Sequence, residues 1–123
     1  LWLNSAPQKL SSPASRAIRR AAASTGLGLA SISLWELALL IEKKRLRLKN
    51  ATTREFLDAI VDTPGLSVLE ITVEIAVLAT RLPPGFPGDP ADRIIAATAR
   101  AHGIPLVTKD RALQESPLLQ TIW

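Results

Sequence analysis

The fold of this 123-residue chain is decided by the stretch Gly88-Asp89-Pro90-Ala91-Asp92-Arg93-Ile94-Ile95-Ala96-Ala97-Thr98-Ala99. Asp89 is a good N-cap residue, and Pro90 is favoured at the first position of a helix. Together they open a strongly apolar helix, which ends at His102-Gly103. A Pro- and Gly-rich loop over residues 82–88 precedes the helix, and a buried strand over residues 104–108 follows it.

The remainder of the chain repeats this alternation of helices and short apolar strands. We predict helices over residues 11–24, 34–44, 53–61 and 73–81, with Ser33 and Thr72 as caps of the second and fourth. We predict strands over residues 27–31, 66–71 and 119–123, and a turn or short helix over residues 109–116. This order is typical of a three-layer α/β domain with a mainly parallel central sheet between helices. Residues 1–123 are therefore expected to form a single domain.

Composition excludes several classes of protein. The chain has 15 Lys and Arg residues against 11 Asp and Glu, a net charge of +4, and neither Cys nor Met. A disulfide framework, a thiolate zinc site and a cysteine nucleophile are excluded. No apolar run is long enough to span a membrane and no secretory signal is visible, which favours a cytoplasmic protein without a membrane anchor. Because the chain begins at Leu1 and lacks Met, we expect that an upstream segment is missing.

Three carboxylates lie where a parallel sheet directs functional groups into one crevice. Glu36 lies one turn into the helix that follows the first predicted strand, and Asp92 lies in the first turn of the apolar helix. Asp110 comes two residues after the strand over residues 104–108. Carboxylates that converge in a partly dry crevice repel one another and need a cation. Oxygen ligands without Cys or a His cluster suit Mg²⁺, with Mn²⁺ as the alternative.

Each acid also has a structural interpretation. Asp89 serves as an N-cap, and Asp92 at the third helical position would complete a capping box. Asp110 would cap a short helix through Leu113, and Glu36 could be an acid at the edge of an apolar stripe. Composition and spacing leave the metal site and these structural roles both open.

Three stretches, in this order, resemble the PIN-domain family and, within it, the toxin nucleases of VapBC-type toxin–antitoxin pairs. They are Ala30-Ser31-Ile32-Ser33-Leu34-Trp35-Glu36-Leu37-Ala38, the Gly88 to Ala99 stretch, and Ile104-Pro105-Leu106-Val107-Thr108-Lys109-Asp110. The resemblance covers essentially the whole chain. It implies that Glu36, Asp92 and Asp110 are three of four acidic metal-site residues, with Asp89 as an additional acid. The fourth acid belongs to a first, central strand that is absent from this sequence.

The resemblance also implies an activity and partners. It implies a Mg²⁺-dependent ribonuclease, the toxin of a toxin–antitoxin pair, in which Glu36, Asp92 and Asp110 are both metal ligands and catalytic residues. Arg93 and Lys109, near the acids, are candidates for contacts with RNA. It further implies a small antitoxin partner and a homodimer formed through helix faces, for which residues 34–41 and 73–82 are candidates.

Further cationic contacts are available in a basic segment, which we define as residues 43–49. Its cations are Lys43, Lys44, Arg45, Arg47 and Lys49. They suit phosphate binding, and equally a solvated helix end whose dipole they complement. His102, the only His, lies at a helix end before Gly103, which indicates capping and not catalysis.

Two other functions compete with a nuclease. A PIN-like fragment without its first acid could bind antitoxin or RNA without cleavage. A phospho-accepting α/β regulator also gathers acids at strand ends, but its acceptor Asp would follow a central strand directly, which Asp110 beside Lys109 fits poorly.

Overall fold

A computed structural model of the chain describes residues 12–86, 89–108 and 110–123. The helices in these ranges are α1 Ser12–Ala23, α2 Ile32–Glu42, α3 Thr53–Val61, α4 Val73–Thr80, α5 Pro90–His102 and α6 Arg111–Glu115. The strands are β1 Leu27–Ala30, β2 Leu66–Leu69, β3 Leu106–Val107 and β4 Thr121–Ile122. The predicted α/β alternation is confirmed. The predictions that involve Ser11, Gly88 and Lys109 lie outside the described residues.

The strands form two parallel pairs. β1 pairs with β2 in a register that runs from Leu27 opposite Leu66 to Ala30 opposite Leu69, and β3 pairs with β4. A largely apolar cavity of about 370 Å³ separates the pairs, lined by residues of β1, β3, α1 and α5.

Helix α5 supplies much of the core. Its buried residues, nearly all apolar and mostly small, are Ala91, Ile95, Ala96, Ala97, Thr98 and Ala99. One face packs with β1, β3 and α6 through Ala30, Leu106 and Leu113, and another packs against α4. Alanine side chains allow neighbouring backbones to approach closely, and burial of Ile95 alone contributes roughly 1.5–3 kcal/mol. The helix is thereby fixed at the centre of the molecule, and its N-terminal end carries the acids. No helix in the described ranges is long and apolar enough to cross a membrane.

The start of α2 differs from the prediction. Ser33 does not cap the helix, which begins at Ile32 with Ser31 at the N-cap position. The Ser31 N–H donates to the Leu69 carbonyl at the end of the β1–β2 ladder, so the chain enters the helix directly from the strand. Ser33 consequently lies inside the first turn, 2% exposed, and its hydroxyl has no hydrogen-bond partner in the described chain.

The turns before β1 and β2 approach each other closely. The Leu27 N–H donates to the Gly65 carbonyl at 2.7 Å. Gly65 has φ +80, and a Cβ there would lie 3.1 Å from the Ala22 carbonyl oxygen. A residue with a side chain would be strained and crowded at this position, so Gly65 allows β2 to begin beside β1.

Candidate active site

The crevice between the starts of α2 and α5 brings together acids from separate elements. Glu36 lies one turn into α2, and the nearby charges of Asp92 and Asp89 act on it. Asp92, in the first turn of α5, is influenced in turn by Asp89 and Asp110. Asp92 is therefore the central carboxylate, with Glu36 on one side and Asp110 on the other.

Glu36 is a half-buried carboxylate that is not paired with any of the described side chains. It makes no hydrogen bond or ion pair within the described residues, and most of the other side chains of its helix are apolar. Burial raises the pKa of Glu36 above its ordinary value, and repulsion from Asp92 and Asp89 raises it further. The ionised form of Glu36 is therefore less favourable in the folded protein than in water, a property that is common at functional sites.

Asp92 is likewise a half-buried carboxylate with a raised pKa. The prediction that it completes a capping box is wrong. Asp89 alone caps α5, since its Oδ1 accepts a hydrogen bond from the Ala91 N–H at 2.9 Å. Asp92 accepts none in the part of the chain that the structure describes. Burial raises the pKa of Asp92, and the charges of Asp89 and Asp110 add to the shift.

Asp110, in contrast, does cap a helix, as its structural interpretation predicts. Its Oδ1 accepts the Leu113 N–H at 3.0 Å. Its own N–H donates to the hydroxyl of the buried Thr108 at 3.1 Å, which fixes the turn between β3 and α6. Thr108 is a positioning residue that the sequence prediction missed. The available signal was a hydroxyl residue two positions before a helix-capping acid.

The chemistry of these donors fits a hard divalent cation. Every candidate ligand is a carboxylate oxygen, and the raised pKa values of Glu36 and Asp92 indicate that a nearby positive charge would stabilise the pair. No group of three acids within the described ranges is close enough to surround one ion. Mg²⁺ is usually bound through only one or two carboxylates, with waters and substrate phosphates as further ligands. Glu36 and Asp92 would be the primary pair, with Asp110 beside them.

Arg93 is largely engaged in the fold. Its Nη2 donates to the Leu82 carbonyl at 3.1 Å and its Nε to the Ala79 carbonyl at 3.3 Å, while the guanidinium lies 5.9 Å from the centre of the Phe86 ring. These contacts tie α5 to the end of α4 and to the following loop. Contact of Arg93 with RNA stays a prediction, and so does that of Lys109, which lies outside the described residues.

Parallel strands whose carboxyl ends carry a group of acids define a class of α/β proteins suited to metal-assisted chemistry on phosphates. The sequence profile of the PIN domain matches residues 2–117 of this chain. The chain belongs to the PIN-domain family.

Individual relatives refine this assignment. The chain is 42% identical to Ribonuclease VapC22 of Mycobacterium tuberculosis over 99% of its own length and 91% of that protein, which makes it VapC-type. Its fold is similar to a chain in the crystal structure of VapBC2 from Rickettsia felis bound to a promoter DNA fragment. That match has a TM-score of 0.67 at 20% identity, over 87% of this chain and 81% of the other.

Proposed function

We propose that this protein is a Mg²⁺-dependent endoribonuclease, the toxin of a toxin–antitoxin pair, which hydrolyses RNA phosphodiester bonds. The observation that carries the proposal is the pair Glu36 and Asp92, two partly buried carboxylates from different helices. Neither has a hydrogen bond within the described residues, and burial and neighbouring carboxylates raise the pKa of each. The name of the relative VapC22 supports ribonuclease activity, and the oxygen donors support the choice of metal.

The four acidic side chains have different proposed roles. Glu36 and Asp92 would bind the cation, and a bound Mg²⁺ would supply a polarised water and neutralise charge on the phosphate. Asp110 and Asp89 each give one oxygen, Oδ1, to a helix N–H. This fixes the orientation of both carboxylates and leaves Oδ2 of each for water or ligand. No Ser, Cys or His nucleophile is required for this chemistry.

Cleavage of single-stranded RNA by the full chain, with Mg²⁺ or with EDTA, tests the proposal. Glu36→Gln and Asp92→Asn each remove a ligand charge at nearly constant volume, so we expect losses on the order of 100-fold or more. Glu42→Gln is the matched control, because Glu42 is exposed at the far end of the same helix. Undiminished cleavage in the Glu36 and Asp92 variants would overturn the proposal.

We also propose an antitoxin as partner and the cytoplasm as location. The crystal structure from Rickettsia felis is of a VapBC2 assembly, which supports an antitoxin for this chain. Trp35 on α2 is 57% exposed, so a large apolar side chain is open to a partner. Co-expression with a candidate antitoxin should suppress cleavage, and Trp35→Ala should weaken that suppression.

We also propose a homodimer. Val73 and Val77 lie one turn apart on α4, 83% and 39% exposed, and Ile71 is 46% exposed just before the helix. Exposed apolar side chains grouped in this way favour association with another surface. Light scattering of the wild type and of Val73→Lys should show a dimer and a monomer respectively.

One observation favours a second candidate function, a domain that binds antitoxin or RNA without cleaving it. No three acids in the described ranges form a metal-binding group. Calorimetric titration with Mg²⁺ separates the two functions. A well-folded sample without a heat of binding would favour the non-catalytic domain, and binding abolished by Asp92→Asn would favour the nuclease.

A further inference from the structure

The basic segment, residues 43–49, is a concentration of positive charge that the proposed chemistry does not use. Its five cationic residues are Lys43, Lys44, Arg45, Arg47 and Lys49, and all of them are exposed. The only ion pair in the described chain joins Arg54 to Asp58, so none of these five is neutralised there. Five unpaired cations in seven residues form a strong local attraction for a polyanion.

The cationic side chains of the basic segment face solvent, whereas its leucines face the protein. Leu46 and Leu48 are half-buried, whereas Arg45, Arg47 and Lys49 between and beside them are exposed. The alternating leucines therefore hold the backbone against the protein while the cations face solvent. A row of cations on one side of an anchored segment suits a chain of regularly spaced negative charges.

The backbone favours a functional interpretation over a simple helix end. Lys44 follows the C-cap of α2 with φ 59, in the left-handed region where Gly is usual, as at Gly103 after α5. An L-residue with a side chain is strained in this conformation, so Lys44 lowers stability where Gly would not. The helix dipole acts only within the last turn, which accounts for Lys43 and not for Arg45, Arg47 or Lys49.

The segment lies at the opposite end of α2 from the acids. Glu36 and Lys43 are seven positions apart, a distance of roughly 10 Å along the helix axis. The acids thus lie near one end of α2 and the group of cations at the other. A single RNA strand could engage both at once.

We propose that the basic segment binds the phosphate backbone of single-stranded RNA beside the cleavage site and so aligns the strand with the acids. The choice of RNA rests on the proposed function. Recognition is through phosphates, and binding is therefore independent of base sequence.

The test is fluorescence anisotropy with a labelled single-stranded RNA of about 15 nucleotides, in EDTA so that cleavage is prevented. Binding is measured over a series of salt concentrations for the full chain and for Arg45→Gln/Arg47→Gln/Lys49→Gln. Each phosphate contact on a single strand contributes about 0.7 to the slope of log K against log salt, so loss of three contacts should lower the slope by about 2. Affinity at low salt should fall by about tenfold or more.

The control is Arg16→Gln/Arg19→Gln/Arg20→Gln on α1, which removes the same charge from equally exposed positions. We expect this control to change the slope by less than 1. An equal loss in both triple variants would show a net-charge effect and overturn the proposal, as would unchanged binding of the segment variant. A DNA strand of the same sequence should lose affinity to the same extent, and a loss confined to RNA would contradict recognition of phosphates.

Lys44→Gly separates binding from folding. Gly relieves the left-handed strain, so the melting temperature should rise while the salt slope falls by about 0.7. A higher melting temperature with an unchanged slope would contradict a contact between Lys44 and the RNA phosphates. Cleavage by the wild type in Mg²⁺ is measured separately. If RNA binding depends on the segment but no cleavage occurs, the proposed function fails, whereas phosphate binding by the segment stands.

Discussion

Two pairs of carboxylates occupy neighbouring parts of this protein and have opposite effects on its stability. At the starts of α5 and α6, Asp89 and Asp110 each accept a backbone N–H, which stabilises both the charge and the helix. In the crevice between α2 and α5, Glu36 and Asp92 have no such bond within the described residues, and burial and repulsion from neighbouring carboxylates raise their pKa values. The first pair explains how the helices begin. The second pair has no such structural benefit, and carboxylates with perturbed pKa values in a crevice are typical of functional sites.

The largest expected effect comes from removing one charge of the second pair. Asp92→Asn should lower cleavage on the order of 100-fold while raising the melting temperature, because it relieves repulsion without loss of a hydrogen bond. Parallel cleavage assays and thermal melts of the same preparation would measure both. If Asp92→Asn destabilised the fold as a capping variant does, the distinction between the two pairs would be wrong.

Two substitutions at Asp110 separate its role as a helix cap from the effect of its charge. Asp110→Ala removes the acceptor of the Leu113 N–H and should lower the free energy of unfolding by about 1 kcal/mol. Asp110→Asn keeps a good N-cap and should be nearly neutral for stability, while it removes a charge beside Asp92. Urea denaturation of the two variants distinguishes the roles, and equal destabilisation by both would contradict capping as the structural function.

Local signals in the sequence predicted much of this fold. Residues 53–61 were predicted as a helix and the structure has α3 at Thr53–Val61, because Thr52 and Glu55 form a reciprocal capping box. Asp89 and Pro90 likewise fix the start of α5. Prediction was wrong at the start of α2, where Ser31 and Ser33 are both suitable caps. The choice depends on where the β1–β2 ladder ends, which is a tertiary contact that no local pattern contains.

The candidate site, too, was only partly predictable, because it depends on tertiary contacts. The sequence predicted that Glu36, Asp92 and Asp110 would gather at the strand ends, and in the structure the charge of Asp92 acts on Glu36 and that of Asp110 acts on Asp92. It could not assign capping to Asp110 and partnerless burial to Asp92, since both residues begin helices in similar sequence contexts. The bonds of Arg93 to the Ala79 and Leu82 carbonyls join residues more than ten positions apart and depend on the packing of α4 against α5.

A smaller effect is expected where α2 begins, since it lacks the cap that α5 has. The buried Ser33 hydroxyl has no partner in the described chain, so Ser33→Ala should raise the free energy of unfolding by up to about 1 kcal/mol. Thr98→Val is the control, because the equally buried Thr98 hydroxyl donates to the Ile94 carbonyl at 2.7 Å and its loss should destabilise. Chemical denaturation measures both, and destabilisation by Ser33→Ala would reveal a partner for that hydroxyl.

The smallest expected effect is the pH dependence that the second pair imposes on stability. Because the pKa values of Glu36 and Asp92 are raised in the folded state, the folded protein retains their protons to a higher pH than the unfolded chain does. Their contribution to the free energy of unfolding therefore falls as pH rises from about 4 through the raised pKa values. Glu36→Gln/Asp92→Asn should remove this decline, so its melting temperature relative to the wild type should increase between pH 4 and neutrality. The difference should be a few degrees at most, since solvent screens two partly exposed groups. A difference that is independent of pH would mean that neither carboxylate is perturbed, and the contrast between the two pairs would then rest on hydrogen bonding alone.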